Sequence, residues 1–139
     1  MDSIKILGVK INNVTMDEAV DKLWEFCGEE GNHAVFTPNP EFVYRAYHDP
    51  DFRDKLNSAD LIIPDGIGLI YAAKIIGTPL KERVPGFEVC CKIIDMAAEK
   101  SAKIFILGGK PGVAELAKKN LERDHKGINV VGVNDGYFK

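Results

Sequence analysis

KIFILGGKPGVAELAKKNLERDHKGINVVGVND, Lys103 to Asp135, decides the fold class. KIFIL (Lys103 to Leu107) is a short apolar, β-branched run of strand length. Gly108-Gly109-Lys110-Pro111-Gly112 breaks it and opens a helical pattern that runs to about His125. INVVGV (Ile128 to Val133) is a second strand. Strand, glycine turn, helix and strand make a βαβ unit, whose crossover leaves its two strands parallel.

The pattern continues outward from this unit. Phe87 to Lys100 reads as a helix with Cys90, Ile93, Ile94 and Ala97 inward. Before it, GTPLKERVPG (Gly77 to Gly86) is a loop with a Lys-Glu-Arg run. DLIIP (Asp60 to Pro64) is a strand, and Gly66 to Ile76 an apolar, buried helix. Asn39-Pro40 reads as an N-cap and first helical residue, and Asp49-Pro50 ends that helix and starts a shorter one reaching Ser58. HAVFT (His33 to Thr37) is a strand. Thr15-Met-Asp-Glu18 is a capping box opening a helix with Met16, Ala19, Val20, Leu23, Trp24 and Cys27 on one face. IKILGV (Ile4 to Val9) is a first strand, continued toward Val14. The whole predicts a single α/β domain over 1–139 with a mostly parallel sheet covered by helices.

Composition narrows the function classes. The 139 residues carry 18 Lys+Arg and 21 Asp+Glu, a net charge of −3, so bulk charge gives no support to nucleic-acid binding. With 45% hydrophobic residues the chain is an ordinary globular one rather than a disordered one. Cys27, Cys90 and Cys91 form no C-x-x-C pair and are expected to be buried, reduced thiols. Neither the N-terminus nor the apolar stretch Leu61 to Gly77, interrupted by Pro64, Asp65 and Lys74, reads as a targeting or spanning segment. A cytosolic protein is expected.

The residues with chemistry sit where predicted strands end: Thr37-Pro-Asn-Pro-Glu41, Pro64-Asp-Gly-Ile-Gly68, Gly108 to Gly112, and Asn134-Asp-Gly136. In a parallel sheet these ends share one edge, where open α/β folds bind ligands. Asp65 reads either as an N-cap or as a carboxylate presented to a ligand as a general base. Arg83 reads either as a solvated loop charge or as a fork for phosphate oxygens. Gly108 and Gly109 read either as a tight turn with Pro111 at the first helical position or as room for a diphosphate at a helix N-terminus. Asp49-Pro50-Asp51 is formally D-x-D but lies between helices, so it reads as a stop-and-start signal, not a metal triplet. His33, His48 and His125 show no ligand spacing, and Tyr44 and Tyr47 read as packing.

FTPNPEF (Phe36 to Phe42), PDGIG (Pro64 to Gly68), ERVPG (Glu82 to Gly86), ILGGKPGVAE (Ile106 to Glu115) and NDGYF (Asn134 to Phe138), in this order and spacing, resemble the WecG/TagA/CpsF family of bacterial glycosyltransferases. The nearest likeness is to its teichoic acid branch. The resemblance implies a Rossmann-like α/β fold and an inverting transferase that moves N-acetylmannosamine from UDP-ManNAc to the 4-hydroxyl of undecaprenyl-diphosphate-GlcNAc, with no metal and no cofactor. It implies Asp65 as the base, Thr37 facing the reacting groups, and Arg83 on a diphosphate. It implies Asn39, Gly66, Gly68 and Gly86 around sugar or acceptor, Gly108 and Gly109 at the nucleotide diphosphate, and Asp135 and Tyr137 at nucleoside or sugar. It further implies a protein peripheral at the inner face of the cell membrane, self-association, and a C-terminus that family members extend with a further strand and an appendage. Two other readings stand beside it. A nicotinamide-dependent oxidoreductase would use the strand, Gly turn, helix and acid of the last βαβ unit, although the G-x-G-x-x-G spacing fails. A non-catalytic nucleotide-binding domain would use the same turn without chemistry.

Overall fold

A computed structural model describes residues 1–137. The elements fall into two compact units, Met1–Cys90 and the chain from Cys91 onward. The first begins with a hairpin rather than one continuous strand. β1 (Ser3–Ile6) pairs antiparallel with β2 (Val9–Asn12) in the register Ser3↔Asn12 to Ile6↔Val9. The two-residue turn has both φ values positive, +48° at Leu7 and +85° at Gly8, the pattern of a type I′ turn. Leu is not a turn residue, which is why the sequence reads straight through it.

Three helices start on signals written in the sequence. α1 (Met16–Gly28) opens on the expected capping box, the Glu18 N–H donating to Thr15 Oγ1 at 3.2 Å and the Thr15 N–H to Glu18 Oε2 at 2.8 Å. α2 (Pro40–His48) has Asn39 as its N-cap, and α3 (Pro50–Asn57) has Asp49. The Asp49 carboxylate accepts from the Phe52 N–H at 3.0 Å. Between α1 and α2 lies β3 (Val35–Phe36), and after α3 comes β4 (Leu61–Ile62). Both are shorter than their apolar runs, and they pair in parallel, Val35↔Leu61 and Phe36↔Ile62.

The core of this unit is built by Ile6, Val9 and Ile11 of the hairpin, Val43 and Ala46 of α2, Leu56, Ile62, and Leu69 and Ala73 of the next helix, α4 (Ile67–Ile75). α4 is not the buried helix its composition suggests. Leu69 and Ala73 face the core, while Ile67, Tyr71 and Ile75 line an exposed stripe, Ile75 at 85% exposure. Two asparagines bind the hairpin to the rest. Asn57 accepts from the Lys10 N–H at 2.8 Å and donates to the Gly8 carbonyl at 3.0 Å. The buried Asn12 accepts from the Ile62 N–H at 2.8 Å, so a side chain takes the place of a strand partner for β4.

α5 (Gly86–Glu99) runs across the boundary between the units. In the second unit β5 (Lys103–Leu107) pairs in parallel with β6 (Asn129–Asn134), joined by α6 (Val113–Asp124), as the βαβ reading predicts. The pairing jumps from Ile104↔Val130 to Phe105↔Gly132, a bulge that the alternation does not reveal. Pro111 is not the first residue of α6; Gly112, in the left-handed region at φ +88°, is its N-cap. The α/β class therefore holds, with parallel pairs β3–β4 and β5–β6 beside an antiparallel hairpin.

The cysteines differ from expectation: Cys27, Cys90 and Cys91 are all exposed. Cys27 lies in the last turn of α1, beyond the buried Ala19 and Val20. On α5 the buried positions are Val89 and Ala97, eight residues apart on one face, and Cys90 and Cys91 point off that face.

Candidate active site

The first unit brings three of the sequence motifs together. Thr37 and Asn39 lie in the turn from β3 to α2, Asp65, Gly66 and Gly68 in the turn from β4 into α4, and Arg83 and Gly86 at the end of the loop leading to α5. Asp65 does not cap α4. The N-cap is Gly66, at φ +102°, with no side-chain hydrogen bond. The half-buried Asp65 carboxylate instead accepts from the Gly86 N–H at 3.2 Å, at the start of a different helix. Gly86 in turn lies directly under Thr37. A Cβ at Gly86 would stand 2.8–2.9 Å from Thr37 Oγ1, Cβ and Cγ2, so glycine is required for the two segments to approach. Asp65, Gly86 and Thr37 thus form one continuous patch.

Gly66 and Gly68 serve a similar contact. A Cβ at Gly68 would lie 2.7 Å from Pro40 Cγ, and one at Gly66 3.1 Å from Pro40 Cδ. Their room is used by the Pro40 ring rather than left open to a ligand. Pro40 is a site-building residue that sequence reading assigned only to helix initiation; the paired glycines signal a close approach but not its partner. The Asn39 side-chain oxygen caps α2, accepting from the Phe42 N–H at 3.1 Å, which leaves its amide nitrogen as the group with chemistry to offer a ligand.

Arg83 is exposed and sits between fixed neighbours. Val84 is fully buried and its N–H donates to the Pro64 carbonyl at 3.1 Å. Glu82 accepts from the Met16 N–H at the start of α1. The Lys81 N–H donates to Asn13 Oδ1 at 2.8 Å, and Lys81 Nζ pairs with Glu18 at 2.7 Å. The Lys81 hydrogen bond holds the exposed Glu18 carboxyl below its ordinary value. The Lys-Glu-Arg run is therefore not a uniformly solvated loop. Two of its charges pin the segment to the start of α1, and the Arg83 side chain between them and Val84 stays exposed. No sequence signal marks Glu82 for this role, because its partner is 66 residues away.

The other predicted site residues lie in the second unit. The Gly108 N–H donates to the Asn134 carbonyl at 2.9 Å and so extends the β5–β6 ladder. What Gly108 offers a ligand is space, since a Cβ there would meet nothing within 4 Å. Gly109, at φ +79°, accepts through its carbonyl from the Gly136 N–H at 2.9 Å. The Asp135 carboxylate accepts from the Tyr137 N–H at 2.8 Å, a local turn bond, and the Tyr137 side chain is exposed. Phe138, the last residue of the NDGYF motif, lies outside the described residues. Among the described residues no three His, Cys, Asp or Glu side chains are placed to hold a metal ion, and no helix is long and apolar enough to cross a membrane.

Residues 4–139 match the family model described as Glycosyl transferase WecG/TagA/CpsF family. The chain is 36% identical over 105 residues to the N-acetylglucosaminyldiphosphoundecaprenol N-acetyl-beta-D-mannosaminyltransferase of Bacillus spizizenii, covering 76% of this chain and 41% of that protein. It is 30% identical over 128 residues to the protein of the same name from Staphylococcus aureus, covering 91% and 50%. The match to the Bacillus subtilis protein of that name is 31% over 105 residues. The chain spans half or less of the length of these relatives.

Proposed function

We propose, for a chain that belongs to the WecG/TagA/CpsF glycosyl transferase family, that it carries the acceptor-activating part of an N-acetylmannosaminyltransferase. The donor is UDP-ManNAc and the acceptor undecaprenyl-diphosphate-GlcNAc, the acceptor class that the relatives' names give for those proteins. The observation that carries this reading is the Asp65 carboxylate. It does not cap its own helix α4, accepts instead from the Gly86 N–H at the start of α5, and is joined through Gly86 to Thr37.

The chemistry follows from that arrangement. Asp65 takes the proton of the acceptor 4-hydroxyl as its oxygen attacks the donor anomeric carbon. The bond from that carbon to the UDP oxygen breaks, UDP leaves with the electron pair, and the anomeric centre inverts. Positive potential must meet the charge that develops on the diphosphate. In the first unit Arg83, whose flanking residues Glu82 and Val84 are held, supplies it. The second unit, taken by itself, offers in its Gly108–Gly112 turn before α6 the kind of backbone that approaches a nucleotide diphosphate. Thr37 and the Asn39 amide orient the acceptor sugar. In the second unit, Asp135 and Tyr137 are the side chains for nucleoside or sugar.

The same reading carries the Rossmann-like arrangement, supported by the parallel pairings of β3 with β4 and β5 with β6. It also carries a peripheral position at the inner membrane face, supported by the exposed Ile67, Tyr71 and Ile75 stripe of α4. Self-association belongs to the same reading. The family lends no support to the nicotinamide-dependent alternative. The test is transfer from UDP-ManNAc to a prenyl-diphosphate-GlcNAc, measured on this chain and on a form extended to the length of its relatives. The expected product is the β-1,4 disaccharide lipid. No transfer by the extended form, or transfer with retention at the anomeric carbon, overturns the reading.

A further inference from the structure

A cavity of about 330 Å³ opens beside Thr37, on the β3, α2 and α3 side of the first unit. Its walls are Phe36, Phe42, Phe52 and Leu56, and the two polar residues among its lining are Thr37 and Lys55. The Phe42 and Phe52 rings lie 5.9 Å apart, and Phe36 and Phe42 keep 39% and 47% of their surface exposed. Large aromatic side chains left open around a concavity are a ligand feature more than a packing one. The Arg45 guanidinium lies over Phe52 at 4.3 Å, so cationic groups neighbour this apolar surface from α2 as well as α3. Thr37 belongs both to this cavity and to the Asp65–Gly86 patch.

An apolar cavity with a lysine, sharing Thr37 with the patch proposed above for the acceptor sugar, suits a molecule that is sugar, diphosphate and hydrocarbon in that order. We propose that this cavity holds the first isoprene units of the polyprenyl acceptor, with Lys55 on the diphosphate between chain and sugar. This rests on the acceptor reading above and adds a site for the lipid to it. The volume lies at the lower end of the range for small-ligand sites, about 300–1,000 Å³, so it takes the head of the chain and leaves the remainder outside. Lys suits this place because its ammonium is a point charge on a flexible stem that can follow a diphosphate. The reading also separates two diphosphates by charge: Lys55 for the acceptor and Arg83 for the leaving nucleotide.

The experiment is a pair of titrations of this chain followed by NMR, one with farnesyl diphosphate below its micelle-forming concentration and one with UDP. Inorganic diphosphate is the control for charge alone. Farnesyl diphosphate is expected to shift Phe36, Phe42, Phe52 and Leu56 and to bind more tightly than inorganic diphosphate. Phe42→Gln, at a half-exposed position that leaves the core intact, is expected to weaken it roughly tenfold or more while UDP binding stays unchanged. Lys55→Gln, a second variant at an exposed position, is expected to weaken both farnesyl and inorganic diphosphate. Farnesyl diphosphate binding no tighter than inorganic diphosphate, or binding untouched by Phe42→Gln, overturns the proposal. So does a cavity that proves to be closed by a second copy, shown by sedimentation of a dimer that Phe42→Gln dissociates. Failure of UDP to bind, with farnesyl binding retained in the cavity, would instead count against the transferase reading and leave the lipid site standing.

Discussion

The turn after β4 and the turn after β5 look alike in sequence, PDGIG against GGKPG, each a strand end rich in glycine leading into a helix. They are built differently. Around β4 the glycines admit other segments: Pro40 packs over Gly66 and Gly68, Thr37 over Gly86, and the Asp65 carboxylate reaches Gly86 from a different element. Around β5 the bonds are backbone bonds between two neighbouring strand ends, Gly108 to Asn134 and Gly136 to Gly109, with one local turn bond, Tyr137 to Asp135. The first arrangement fixes a charged side chain by tertiary contacts. The second presents backbone and open space. A general base needs the former, because its carboxylate must be held against the proton it takes. A nucleotide diphosphate needs only the latter.

This difference sets the order of mutational effects. The largest is expected at Gly86. Gly86→Ala forces a Cβ into Thr37 and should cost about 3 kcal/mol, read as a lower urea midpoint. Adding Thr37→Gly to that variant should recover much of the loss, because it removes the atoms that clash. Additive losses in the double variant would break the claim that these two segments touch. Next is Asn12→Ala, which leaves the buried Ile62 N–H without its acceptor and should cost about 1–3 kcal/mol. In the locally closed turn, Asp135→Ala removes one exposed turn bond and should cost about 0.5–1 kcal/mol. A loss there larger than at Asn12 would erase the contrast.

The smallest effect is a pH dependence. Glu18 is held below its ordinary value near 4.5 by the Lys81 hydrogen bond first, then by the Thr15 backbone. A depressed carboxylate adds stability that is present above the unfolded value and is lost as pH falls through the lower folded value. Unfolding midpoints of the parent and of Lys81→Ala should therefore differ at pH 6 and converge below pH 4.5. A constant gap across that range would show that Lys81 acts through packing alone.

The contrast also explains what was legible in the chain. Local signals held: the Thr15–Glu18 box, the Asn39 and Asp49 caps before prolines, and KIFIL as a strand. Each is decided within one turn of helix or one strand. Features set by distant partners were not legible. Leu7 enters the left-handed region because the hairpin demands a two-residue turn, not because leucine favours it. α4 shows an apolar composition that cannot tell its core-facing Leu69 and Ala73 from its exposed Ile67, Tyr71 and Ile75. The motifs named Asp65, but not that Gly86 would hold it, nor that Pro40 would fill the space at Gly66 and Gly68.

The central claim is that Asp65 is the base on the acceptor side, and the most direct measurement is Asp65→Asn in a form extended to the length of the relatives. Asn keeps the shape and can still accept from the Gly86 N–H, but it cannot take the acceptor proton. The expected result is a fall in transfer of roughly 10²–10⁴-fold with UDP binding unchanged. Transfer at the parent rate would contradict the account.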